Sequence, residues 1–366
     1  MKKIKIIALC LAVVLMGITL CSCTVKDITY EPRTVEMNYN NISAKGYFTY
    51  WMTSDAAYYY NSFYGDMRRI EQDGMSTISE VTITDDTAFC IHDDTIYVLE
   101  EEEVTPDGVT DYFVRGYLTA TGESVFSHHI QGARSVDRKF IVLNDRVFII
   151  AETDKSSNTL MVMDLNTGKC ETVAEKVMSM GVDEGRLIYV VDEVGFLFTV
   201  HEYEKNSGIK TGEFEFVLYQ YEYLEPFVNY VDGKIIFIHS KLVEEENEYS
   251  VVEYNRKTGK TEQTSLGEDV SVSEAIAYGS SLFISGYSYT DEEERSMVYL
   301  FDLETKELSK LADFEDTAVS LFVGSEEGVF VRNNLYDGVL YCSVDGERTN
   351  LVAYKGIFGF GRSPLR

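Results

Sequence analysis

Three stretches of the chain repeat one another. Leu160–Lys169 reads LMVMDLNTGK, Ser250–Lys260 reads SVVEYNRKTGK, and Met297–Glu307 reads MVYLFDLETKE. Each is an alternating apolar run that enters an Asp/Asn-Thr-Gly-Lys type of turn, and recurrence on this scale is the mark of a repeat architecture. The glycine supplies a positive φ and the neighbouring Asn or Thr bonds the local backbone, so the recurring residues set register.

A second element recurs upstream of each such run, an acidic or glycine turn that opens a strand. It falls at Asp55, Asp94, Asp145, Gly185, Gly233, Gly279 and Gly328, spaced 39, 51, 40, 48, 46 and 49 residues apart. Between the turns run short Val/Ile/Tyr/Phe segments with no sustained helical period, so the chain is all-β. A period near 40 to 50 with four short strands fits one propeller blade, whose closure into a ring removes exposed sheet edges. The expectation is a β-propeller over residues 46–366, with seven four-stranded blades. Six or eight blades are the alternatives, because the unit around Phe196–Tyr223 is irregular, and a sandwich or open β-solenoid is the structural rival.

The turns, Leu165-Asn166-Thr167-Gly168-Lys169 most closely, then Thr258-Gly259-Lys260 and Thr121-Gly122-Glu123, resemble those of bacterial quinoprotein-repeat propellers. That group includes the envelope lipoprotein of the outer-membrane barrel assembly machinery. Its repeats usually carry a tryptophan after the turn, whereas this chain has only Trp51. The resemblance therefore implies the fold and no site residue or quinone cofactor.

Lys2, Lys3 and Lys5 precede an apolar run from Ile6 to Leu20, and small Ser22 follows, which describes a secretory leader over residues 1–22. The run falls short of the roughly 20 residues that span a bilayer as a helix. Leu20-Cys21-Ser22-Cys23 resembles the lipobox of bacterial lipoproteins, which implies that Cys23 becomes the lipidated N-terminus on the extracytoplasmic face of a cell membrane. Each buried methylene of such a lipid contributes about 0.8 kcal/mol. Plain secretion with an incidental Cys23 is the alternative. Residues 23–45 are polar and read as a tether.

The formal charge is −29, and −32 once the three leader lysines leave. So acidic a surface repels nucleic acid and anionic lipid and favours cationic partners. Besides Cys23, the mature chain holds Cys90, Cys170 and Cys342, an odd and sparse set that is no disulfide framework and has no C-x-x-C spacing for zinc or redox chemistry. His128 and His129 are adjacent and face opposite sides of a strand. His92, His201 and His239 lie in different units. Neither G-x-S-x-G nor a P-loop or kinase signature occurs, so no metal or cofactor is expected.

Function is sought where the units differ, in the hairpins between second and third strands. Residues 100–111, 152–158, 241–248 and 287–295 carry formal charges of −6, −1, −3 and −3, and all four emerge on one face of the expected ring. Candidate partner-binding residues are Glu100, Glu101, Glu102, Glu103, Glu244, Glu245, Glu246, Asp291 and Glu292. Aromatic runs are the second candidate: Tyr58, Tyr59, Tyr60, Phe63 and Tyr64, with Tyr58 and Tyr60 taken as contributors, and Tyr219, Tyr221, Tyr223 and Phe227. Exposed tyrosines anchor partners at small entropic cost, although alternation sends about half of them into the core. The expected function is a monomeric, lipid-anchored, non-catalytic binding or scaffold module that contacts an envelope protein or cell-surface polymer. A carbohydrate-active propeller enzyme with paired carboxylates is the alternative, and a sensor or solute-binding lipoprotein a third reading.

Overall fold

The computed structural model describes residues 50–352 apart from 54–55, 62–65, 72–73, 79–80, 82–87, 104–109, 194–196, 205–206, 220, 226–227, 245, 268, 291–292, 316–318, 334–337 and 346–347. The leader, Cys23 and the tether lie outside these residues.

Among the described residues the strands form seven antiparallel sheets, each built from one continuous stretch of chain. The first holds β1 (Tyr50–Met52), β2 (Ala57–Asn61), β3 (Asp66–Glu71) and β4 (Gly74–Ile78). The second holds β5 (Ala88–His92), β6 (Thr95–Glu103), β7 (Thr110–Leu118) and β8 (Ser124–His129). In the third are β9 (Ser135–Leu143), β10 (Arg146–Glu152), β11 (Thr159–Asp164) and β12 (Cys170–Ala174), and in the fourth β13 (Val177–Asp183), β14 (Arg186–Asp192), β15 (Leu197–Glu204) and β16 (Ser207–Glu215). The fifth has five strands, β17 (Glu222–Leu224), β18 (Asn229–Val231), β19 (Lys234–Val243), β20 (Glu246–Asn255) and β21 (Lys260–Ser265). The sixth comprises β22 (Glu274–Tyr278), β23 (Ser281–Thr290), β24 (Glu293–Asp302) and β25 (Leu308–Glu315), and the seventh β26 (Val319–Ser325), β27 (Gly328–Asn333), β28 (Gly338–Ser343) and β29 (Arg348–Val352).

The recurring sequence elements occupy equivalent places. The turns at Asp94, Asp145, Gly185 and Gly279 separate the first strand of a sheet from the second, Gly233 lies between β18 and β19, Gly328 opens β27, and Asp55 lies outside the described residues. The Thr-Gly turns at 121–122, 167–168 and 258–259 separate the third strand from the fourth. Asp164 accepts the N–H groups of Asn166 and Thr167 at 3.1 and 2.9 Å, Asn255 those of Lys257 and Thr258 at 3.0 Å, and Asp302 those of Glu304 and Thr305 at 2.8 Å. Asp164 also accepts the Thr167 hydroxyl at 3.0 Å, the largest pull on its carboxyl, and for Asp302 the Thr305 N–H is the largest; these bonds favour the ionised carboxylate and hold both below the usual aspartate range. The turn then closes through a left-handed residue, Gly168 and Gly259 at φ 68° and Lys306 at φ 62°.

The same turns join neighbouring sheets. The Leu165 carbonyl accepts from His128 Nε2 of the preceding sheet at 2.9 Å. Arg256 pairs with Asp183, and Lys306 pairs with buried Glu253, whose other oxygen meets Lys234 at 2.9 Å. First strands are laced as well. Tyr230 and Ser179 share a hydroxyl bond of 2.7 Å, Asn229 bonds the Ala275 carbonyl and the Ala277 N–H, and Glu274 accepts the Leu321 N–H at 2.6 Å.

Most of the core lies between sheets. Ile141, Phe148 and Tyr189 fill the space between the third and fourth, Val200, Phe214 and Tyr254 that between the fourth and fifth, and Ile238, Tyr249 and Ile284 that between the fifth and sixth. Phe283, Leu321 and Val329 join the sixth to the seventh. Val323, Phe330 and Tyr341 of the seventh belong to the same buried cluster as Trp51, Ala56, Tyr58 and Met67 of the first. The ring thus closes on itself, and among the described residues it does so through side chains, with no strand shared between the first and last sheets.

Candidate functional site

The fifth sheet departs from the pattern of the others. Leu224 pairs with His239 and Asn229 with Ile236, so four residues of chain separate the two pairings on one side and two, Phe237 and Ile238, on the other. The surplus of two residues splits the first strand of the sheet into β17 and β18. Beside the split, Val217, Tyr219, Tyr221, Tyr223 and Leu242 expose 51, 71, 54, 60 and 42% of their surface. They are five of the eight large hydrophobic side chains exposed among the described residues, four of them at alternate positions of one short stretch and the fifth on the strand that pairs with it, a ridge of exposed apolar residues.

Backbone bonds bring the patch together. Tyr223 lies opposite Ser240 in the ladder, and the Leu242 N–H donates to the Tyr221 carbonyl at 3.0 Å. Tyr221 has φ 68°, and the turn it occupies is closed on both sides by Glu222. The Glu222 N–H donates to the Tyr219 carbonyl, and its carboxylate accepts the Tyr219 N–H, each at 3.1 Å. Tyrosine at so costly a φ is held by these bonds.

Beneath the ridge lies a buried polar pair. His239 Nε2 stands 3.6 Å from the Glu222 carboxylate, its Nδ1 is 3.2 Å from Gln263 Nε2, and its ring meets Phe216 edge-on at 5.2 Å. Lys241 Nζ reaches Glu222 at 4.0 Å. Burial draws His239 below its ordinary range, with Glu222 opposing. On the opposite face of β19, buried Ser240 donates to Glu225 at 2.7 Å. Ser240 and His239 are consecutive on a strand, so their side chains diverge and form no nucleophile-base pair.

The acidic residues divide. Glu100–Glu103 were expected in a hairpin, but they belong to β6. Alternation there places Glu100 and Glu102 on one face, where Arg115 of β7 pairs with both, and Glu100 is only 12% exposed at its side chain. Burial pushes the Glu100 carboxyl up, against the pull of Arg115. Glu101 is exposed and lies opposite Tyr112. Of the Glu103 side chain nothing is described. Glu244 and Glu246 are exposed at the tip joining β19 to β20, directly after Leu242, and Glu244 takes φ 49°. Glu245, Asp291 and Glu292 lie outside the described residues.

The tyrosines divide too. Tyr58 is 3% exposed and carries Arg69 over its ring at 5.7 Å, which corrects its assignment as a contact residue: it packs in the core. Tyr60 is in β2, and its side chain is not described. Tyr219, Tyr221 and Tyr223, of the second aromatic run, reach the surface, and the Leu242 N–H bond to the Tyr221 carbonyl places them beside the acidic hairpin. Leu242 and the Glu222–His239 pair were not anticipated. Their one sequence signal is the irregular unit that precedes them.

Cys90 and Cys342 are buried and Cys170 half-buried, all three as free thiols, and burial pushes Cys170 up to about 11. Among the described residues no group of three or more His, Cys, Asp or Glu side chains is placed to hold a metal ion.

No protein-family model and no curated protein sequence matches the chain. Solved structures do. An uncharacterized protein of Listeria monocytogenes superposes with a TM-score of 0.55 at 10% identity, over 88% of this chain and 97% of that one. Oligogalacturonate lyase in complex with manganese, a β-propeller protein, gives 0.53 at 12%, over 85% and 88%. The chain is a β-propeller. The tricorn protease gives 0.50 at 11% identity over 88% of this chain, which spans only 36% of that protein's length. At such identities the likeness carries the fold of this propeller and nothing of its chemistry, which rests on the residues described above.

Proposed function

We propose that this propeller is a lipid-anchored, extracytoplasmic binding scaffold of a bacterial envelope, and that its partner seats on the tyrosine ridge of the fifth sheet. One observation carries the reading: of the eight large apolar side chains exposed among the described residues, five belong to residues 217–223 and to Leu242, whose N–H bonds the Tyr221 carbonyl beside the acidic β19–β20 tip. Tyrosine offers a large amphipathic contact surface with two side-chain torsions to fix, which suits it to an interface centre. The leader and the Leu20-Cys21-Ser22-Cys23 box support the membrane address.

Two measurements test this function. Cys23→Ser moves the protein from the membrane to the soluble fraction; retention in the membrane refutes the anchor. A photo-cross-linking residue at position 223 traps a neighbour in intact cells, whereas the same residue at Val125, exposed on β8, does not. Equal trapping at both positions refutes the ridge.

A further inference from the structure

Resting on the ridge reading, we propose that its occupant is a polypeptide segment rich in arginine and lysine, held by cation–π contact with Tyr219, Tyr221 and Tyr223 and by the carboxylates of the β19–β20 tip. Charge complementarity is the argument. Residues 219–225 carry a formal charge of −2 and residues 241–248 of −3. Within them, Glu222 accepts the Tyr219 N–H and faces Lys241 at 4.0 Å, and Glu225 accepts from Ser240. Lys241, the one lysine or arginine of these two segments, is thereby turned toward Glu222. Glu244, Glu246 and Glu248 are exposed, and among the described residues no cation pairs with them.

The ridge thus joins aromatic faces to uncompensated negative charge. The face of a tyrosine ring is the negative end of its quadrupole and attracts a cation, by about 0.5–1 kcal/mol at exposed sites. A guanidinium stacks on such a ring while its N–H fork still reaches a carboxylate, which a compact ammonium does less well. The chain's overall charge of −29 adds long-range steering toward the same partners and repels anionic polymers and anionic lipid.

The test is fluorescence anisotropy of the mature full-length chain in detergent with a labelled peptide of alternating arginine and glycine. A labelled glutamate–glycine peptide and a labelled neutral glucan serve as alternative probes, each measured separately. The arginine peptide is expected to bind, and to bind more weakly as salt rises. Tyr219→Leu with Tyr223→Leu keeps apolar area but removes two ring faces, and weakens binding roughly tenfold on that cation–π scale. Tyr219→Phe with Tyr223→Phe retains the faces and retains binding. Glu244→Gln with Glu246→Gln weakens binding and flattens its salt dependence. Circular dichroism matched to the parent shows that each variant is folded. Failure of the arginine peptide to bind, equal binding to the leucine variant, or tighter binding of the glutamate peptide or the glucan overturns the proposal. If position 223 still traps a neighbour in cells while the arginine peptide fails, the partner chemistry falls and the ridge stands. If position 223 traps nothing, the ridge itself falls.

Discussion

The Leu242 N–H donates to the carbonyl of Tyr221 across 3.0 Å, and this bond ties the acidic β19–β20 hairpin to the tyrosine ridge. Glu225 N–H to the Ile238 carbonyl is the corresponding bond at the other end of β17. In an antiparallel ladder each N–H points to one side only, so the bond of Leu242 to β17 takes nothing from its pairing with β20.

Proline at position 242 therefore removes the donor that anchors the ridge and leaves the β19–β20 ladder its own bonds. Hydrogen exchange at residues 219–224 is expected to quicken in Leu242→Pro, while exchange in β20, β23 and β24 stays slow. Unchanged protection at residues 219–224 would show that the ridge is held by other contacts.

Lys306 occupies the left-handed turn position that glycine fills at 168 and 259, and its ammonium meets Glu253, which is 5% exposed. Two effects oppose each other. A non-glycine residue at such a φ costs roughly 1–2 kcal/mol, whereas stripping one partner from a buried carboxylate costs about 3–5 kcal/mol when no other cation is present. Lys234 remains at 2.9 Å, so the loss is partial. Lys306→Met keeps the strain and loses the pair, and is expected to cost about 1–3 kcal/mol in urea unfolding. Lys306→Gly relieves the strain and should cost less than Lys306→Met. The reverse order would mean that the left-handed φ at this position carries little strain, since both variants lose the ion pair.

Much of this propeller is local and was therefore legible in the sequence. Asp164, Asn255 and Asp302 cap their own turns within three residues, so the turn needs no distant partner and its motif survives in the sequence. The misread run Glu100–Glu103 shows the opposite case. Four consecutive acids look like a solvated loop, but strand alternation sends two of them to Arg115, a partner 13 to 15 residues away. Tyr58 and Tyr223 sit in similar tyrosine-rich alternating runs, yet one is buried and the other exposed. What separates them is their place in the sheets: Tyr58 belongs to the buried cluster that includes residues of the first and seventh sheets, whereas Tyr223 is on the short strand β17, and neither place is visible before the strands are paired.

Gly212 of β16 faces the hydroxyl of Tyr254 from the next sheet, and a methyl group added there would overlap that oxygen first, with the ring carbon behind it at 3.3 Å. Overpacking of this kind costs typically about 1–3 kcal/mol. Gly212→Ala is expected to lower stability by that amount. Tyr254→Phe deletes the overlapping atom, so the double variant should recover a large part of the loss. Additive losses in the double-mutant cycle would place the strain elsewhere.

His239 and His201 set a pH dependence whose sign follows from burial. His239 is enclosed by Phe216, Glu222 and Gln263, with Lys241 also facing it across Glu222. His201 stacks on Tyr189 at 5.1 Å and contacts Thr199 at 2.9 Å, with Glu193 and Lys210 as its charged neighbours. Desolvation draws both below the ordinary 6.5. The folded protein thus keeps them neutral at pH values where the unfolded chain already binds protons. Their contribution is fully present above 6.5 and is lost as pH falls from that value through the folded pKa values. Glu100 works in the opposite sense, because its raised carboxyl is protonated more readily in the folded state. Comparing the parent with a His239→Gln, His201→Gln double variant isolates the histidines, since Glu100 is present in both. The parent's unfolding free energy is expected to fall from about pH 7 to about pH 5.5, with a shallower fall in the double variant. Parallel curves would show that neither imidazole is held neutral by the fold.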